Sequence, residues 1–133
     1  MASKLRSFTF GDVFQYNDNE YIFLAETEDV TYAAKILDRE LSRYVIGERD
    51  GAIRRNSYVI DNLVYSFVIL KTPELKERVA LFLGADRNIP QGVAFTPLDI
   101  FLLPEDIKQI WKEITQTKCV SERLKKEVKD LKV

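Results

Sequence analysis

The chain has 133 residues, 46% hydrophobic and 31% charged, with a formal net charge of −1. That is enough apolar side chain for the core of one domain, and five glycines and four prolines are too few for a collagen-like, linker or low-complexity chain. No apolar run approaches the ~20 residues of a membrane span, and the first seven residues carry charges with no apolar stretch behind them, so a soluble, cytoplasmic chain without a signal peptide is expected.

Phe8 and Phe10 alternate with Ser7 and Thr9 until Gly11-Asp12 breaks the run. Val13 to Tyr16 reads as a short strand. Asn17-Asp18-Asn19 is a turn, because Asn and Asp accept left-handed φ and hydrogen-bond their own backbone. Tyr21 to Ala25 is apolar throughout, the pattern of a strand buried on both faces, and it pairs with the preceding strand as a hairpin. After acidic Glu26 to Asp29, Val30, Tyr32, Ala34 and Ile36 alternate onto one face. Three strands joined by short loops indicate an antiparallel meander, and closure into a small barrel would hide its edges.

Residues 38–62 are harder to read. Asp38 can cap one or two helical turns over 38–45, Glu48 to Gly51 signals a turn, and Gly51 to Ser57 reads as a mobile loop. Leu63 to Leu70 is the most apolar segment and a strand. Thr72 and Pro73 mark the cap and first position of a helical turn. Arg78 to Leu83 is a buried strand stopped by Gly84. Val93 to Phe95 and Ile100 to Leu102 are short edge strands, since Pro97 cannot donate to a central ladder.

Pro104-Glu105-Asp106 opens a helix, with acids in its first turn. Ile107, Ile110, Trp111 and Ile114 form one apolar stripe, and Val120, Leu124, Val128 and Leu131 continue it. This later stripe either packs on the chain's own barrel or is the interface with a second copy or a partner protein. The last sixteen residues hold six basic against three acidic side chains, a solvated basic face that leaves the rest of the chain acidic.

The chain has no histidine and one cysteine, Cys119. Ser-His and Cys-His nucleophile pairs are therefore excluded, as are imidazole metal sites and internal disulfides. Glu127-Val128-Lys129 lies in a helical tail, the wrong setting for a rigid carboxylate nuclease site. No glycine-rich phosphate loop is present. No metal and no cofactor are expected. The remaining ligand-binding candidates are Arg49, Arg54, Arg55 and Tyr58, with Arg43 and Tyr44 nearby. Arginines beside aromatic rings suit phosphate contact and base stacking on RNA. Five acids over residues 38–62 balance the five arginines there.

Phe10-Gly11-Asp12-Val13, the turn, Tyr21 to Ala25 and Val30 to Leu37 together resemble the opening of PemK/MazF-type plasmid-maintenance toxins. Lys76 to Leu83 and the terminal helix fall where that family has its last strands and helix. The resemblance implies a mainly β fold. It would be a small antiparallel SH3-like β-barrel over about 8–103 with a C-terminal α-helical extension over about 104–132, in a single domain spanning 1–133. It also implies a homodimer that meets RNA or an antitoxin protein. Active members carry an Arg-Pro pair before the second strand and a Thr or Ser after the third. Here those places hold Asn17-Asp18-Asn19-Glu20 and Ile36-Leu37-Asp38, so neither catalytic position carries over. The expected function is a toxin-like, RNA-acting protein with altered chemistry or none; if it cleaves, the cleavage is metal-independent and uses Arg54 and Arg55. The alternative is a non-enzymatic protein-binding module using the barrel and the terminal helix.

Overall fold

The first hairpin sets the register of the sheet. β1 (Asp12–Tyr16) pairs with β2 (Asn19–Glu26) so that Tyr16 faces Asn19, which leaves a two-residue loop. Its residues, Asn17 and Asp18, have φ of 53° and 63°. Two left-handed residues give the loop a twist that matches the strands it joins, and Asn and Asp adopt them at low cost. In β2, Ile22, Leu24 and Ala25 enter the main core while Phe23 points to the opposite face. The register against the next strand shifts between Phe23 and Ala25, which lets adjacent Leu24 and Ala25 share a face.

In the computed structural model, residues 8–27, 30–52, 57–60, 63–83, 88–90, 95–117 and 120–131 are described, with backbone alone at 48–52, 57–60, 63–65, 83 and 88–90. The remaining elements are β3 (Val30–Ile36), α1 (Arg39–Ala52), β4 (Ser57–Ile60), β5 (Leu63–Ile69), β6 (Val79–Leu83), β7 (Asn88–Pro90), β8 (Thr96–Phe101), α2 (Pro104–Gln116) and α3 (Glu122–Lys129). A 3-10 turn at Pro73–Leu75 joins β5 to β6. All strand pairings are antiparallel, in the order β4-β5-β6-β3-β2-β1-β8, with β7 beside β3. The fold is mainly β, as expected, but the expected barrel is not closed: among the described residues nothing pairs β4 with β8. Helices cover the sheet instead, so burying its faces does not require closure.

Alternation along the strands gives two apolar faces. On the first, Ile22, Ala34, Ile36, Val68, Ala80 and Phe82 pack against Ile110, Ile114, Leu124 and Val128 of the terminal helices. Ile107 and Trp111 complete the α2 stripe. Gly11, at φ +98°, lies so close to α2 that a Cβ would stand 3.2 Å from Ile107 Cγ1. The C-terminal extension is thus two helices laid on the sheet, joined where Trp111 Nε1 donates to the Val128 carbonyl at 2.8 Å. Ser121 caps α3, its side chain accepting from Leu124 N at 3.2 Å. Of the two settings expected for this stripe the structure shows packing on the chain's own sheet, which leaves no partner interface at Val120, Leu124 and Val128: they are buried within the chain, and only Leu131 of the stripe is exposed.

On the second face, Leu37, Phe67, Val79 and Leu81 pack against Val45 and Ile46 of α1. Asp38 caps α1 as expected, its Oδ1 accepting from Leu41 N at 2.8 Å. The helix does not stop at residue 45. It continues through Gly47 and Gly51 to Ala52, over the expected turn and the start of the expected loop. Burying Val45 and Ile46 outweighs the poor helix propensity of glycine. Buried Ser42 donates to the Leu37 carbonyl at 3.2 Å and accepts from Val79 N at 2.9 Å, which ties α1 to β6.

A buried carboxylate joins the α2 start to the β5 end. Asp106 Oδ2 accepts from Thr72 Oγ1 at 2.6 Å, from Thr72 N at 2.8 Å and from Lys71 N at 3.0 Å. Lys71 N also reaches Oδ1 at 3.0 Å. Thr72 Oγ1 in turn accepts from Leu103 N at 2.9 Å. Thr72 therefore holds the N-cap position of the 3-10 turn with Pro73 after it, as expected, but its side chain makes no cap bond, because its oxygen accepts from Leu103 N and its proton goes to the carboxylate. Charge-assisted bonds of this kind are the stronger choice. Asp106→Asn turns an amide NH₂ toward N–H donors and should cost about 2–4 kcal/mol. Glu105→Gln, which removes an exposed 3.4 Å pair with Lys71, should cost under ~0.5 kcal/mol. Urea unfolding of both variants checks this; equal losses would contradict the assigned role of Asp106.

Candidate functional site

The second face has a part that none of the described helices covers. Phe14 and Tyr16 of β1 and Tyr21 and Phe23 of β2 point there by strand alternation, with Phe14 directly opposite Tyr21. Phe8 and Phe95 lie over them. Phe8 reaches this face because the chain turns back at 9–12, where Thr9 N donates to Asp12 Oδ2 at 2.8 Å and Asp12 N to the Thr9 carbonyl at 3.0 Å. Phe10 therefore packs on the opposite face, not beside Phe8 as the alternation predicts.

The rings form one network. Phe14 and Phe95 stand 4.5 Å apart, Phe8 and Phe14 5.5 Å, Phe14 and Tyr21 5.6 Å, and Tyr16 and Phe95 5.9 Å with planes at 84°. These are attractive offset and edge-on separations. Phe14 and Phe23 are buried, whereas Phe8, Tyr16, Tyr21 and Phe95 are half-buried. The inner rings are core, and the outer ones present aromatic surface to solvent.

Lys35 of β3 stands directly across from Tyr21, on the same face. It has no ion-pair partner among the described residues. Glu20 is neutralised by Arg78, with Nη2 and Oε1 2.7 Å apart, and Arg78 Nε also donates to the Leu37 carbonyl at 2.8 Å. The Tyr16–Tyr21–Lys35 end of the sheet thus combines half-buried rings with an ammonium that no described carboxylate pairs. Such a surface can stack planar groups and attract an anion.

The residues singled out from the sequence are not brought together here. Arg49 lies on α1 and Tyr58 on β4, opposite Tyr65, both described by backbone alone. Arg54 and Arg55 lie outside the described residues, as does Cys119. Arg43 and Tyr44 are exposed on α1, away from the aromatic network. The signal for this surface lies in the hairpin and not in the arginines: a two-residue turn puts Phe14, Tyr16, Tyr21 and Phe23 on one side.

Among the described residues, no three Asp, Glu or Cys side chains gather as a metal site, and no buried side-chain nitrogen or oxygen lacks a hydrogen-bond partner. No described helix is long and apolar enough to cross a membrane. No protein-family model, curated protein or solved structure matches the chain.

The division between inner and outer rings is measurable. Phe14→Ala should cost about 3–5 kcal/mol in urea unfolding. Tyr16→Ala should cost less than ~1.5 kcal/mol, because its ring is half in solvent already. Equal costs would show that the whole network is core.

Proposed function

We propose that the protein is a toxin-like, RNA-acting protein that holds single-stranded RNA on the aromatic face without cutting it. The observation that supports this is the pairing of half-exposed Tyr16 and Tyr21 with unpaired Lys35 on one sheet face. Single strands offer unstacked bases to aromatic side chains and phosphates to cations. On this reading the protein works in the cytoplasm as a homodimer beside a small antitoxin protein, and the sheet is kin to SH3-like barrels of the PemK type, left open between β4 and β8. Binding without cleavage follows from the two family catalytic positions, which carry other residues here.

A protein-binding module is the second reading. Its support has moved from the terminal helix, which packs inside, to α1, where Leu41 is 50% and Tyr44 57% exposed. Exposed Tyr44 beside Arg43 has the composition of an interface centre.

Titration with a short single-stranded RNA at low salt separates the two. The RNA reading expects a Kd of about 10⁻⁴–10⁻⁵ M, weak because the chain as a whole is not basic. Tyr16→Ala should weaken binding by about 1–3 kcal/mol, and Lys35→Ala should flatten the salt dependence by about one phosphate contact. The RNA should stay at full length. Absence of binding would leave the protein-binding module standing.

A further inference from the structure

β8 ends the sheet, and among the described residues its outer edge pairs with nothing. Natural edge strands are protected by lysine, proline, bulges or brevity. Pro97 protects the first half of β8; the second half carries a register shift against β1 but keeps its alternation, so its outer edge stays extended. Three residues of β8, Leu98 to Ile100, stand between two pairings that only Val13 separates on β1: Phe14 with Pro97, and Asp12 with Phe101. Leu98 and Ile100 turn into the main core. Asp99 is left exposed, and Phe101 is 79% exposed, more than any other large apolar side chain described.

On the two strands that carry Phe101 and its partner the charges have one sign. Asp12 is its cross-strand partner, and Asp99 is two residues back, on the same side of the strand by alternation. β1 and β8 carry no lysine or arginine at all. An open strand edge with a bare ring between two carboxylates suits one kind of occupant. We propose that β8 takes up an extended peptide segment with alternating basic and apolar residues, added as a strand along Leu98 to Phe101. A lysine or arginine stem would lie on the Phe101 ring, its charge between Asp99 and Asp12, and the alternate side chains would extend the apolar face begun by Leu98 and Ile100. A second copy of this chain fits poorly, because it brings the same carboxylates to the seam and no cation to meet them. RNA is repelled by the same charges. The surface is distinct from the Tyr16–Lys35 end, which lies about 13 Å away along β1.

The test uses the full chain and two fluorescein-labelled seven-residue peptides, one alternating Lys and Val, the other Glu and Val. Fluorescence anisotropy should show binding of the Lys-Val peptide, weakened by added salt, and none of the Glu-Val peptide. Asp99→Lys and Phe101→Ser should each weaken it by about tenfold or more. Both positions are exposed, and unchanged thermal unfolding confirms an intact fold. Failure of the Lys-Val peptide to bind, equal binding of the two peptides, or binding indifferent to both variants would overturn the proposal. So would a dimer in sedimentation that Phe101→Ser splits, since the occupant would then be a second copy.

Discussion

The structure depends on the need to bury both faces of its central strands. β2 and β6 carry apolar residues at consecutive positions, so neither face can be left to water. The terminal helices meet the need on one face. On the other, α1 covers only the β5–β6 half, and the hairpin half must be closed by its own side chains. Phe8 and Phe95 do this by packing on Phe14 and Phe23. The aromatic network is therefore first a solution to a burial problem, and among the described residues no helix covers its outer rings.

This arrangement separates the tasks of the parts. Asp106 and Ser42 are buried polar groups, fully bonded, and each anchors a helix to a strand. A carboxylate so bonded holds the β5–α2 corner and has no acceptor capacity turned outward for chemistry. The two candidate surfaces are of another kind: half-buried rings beside the Lys35 ammonium, and the acidic edge around Phe101. They suit recognition of a ligand by its planar groups or its charge. The two surfaces occupy opposite ends of β1, one beside the Lys35 ammonium and the other beside the Asp12 and Asp99 carboxylates, so they would select different ligands.

Much of the fold was legible where local chemistry decides it. The Asn17-Asp18 turn, the two-sided burial of Tyr21 to Ala25, the Asp38 cap and the α2 stripe all follow from spacing and turn residues. What was not legible depends on distant partners. α1 runs past two glycines because Val45 and Ile46 find Phe67, Val79 and Leu81. Thr72 abandons its cap for a carboxylate thirty-four residues away. The terminal stripe looked like spare surface until the open sheet offered it a face. The candidate site was missed for a related reason: ring-bearing strands read as core, and only the absence of a helix above them makes some of those rings surface.

The most direct test of the aromatic face is amide chemical-shift mapping of the full chain during titration with single-stranded RNA. The account predicts shifts gathered on β1, β2 and the neighbouring part of β3, centred on Tyr16, Tyr21 and Lys35, with β8 near Phe101 unmoved. Shifts centred on α1, or spread along the acidic β8 edge, would contradict it.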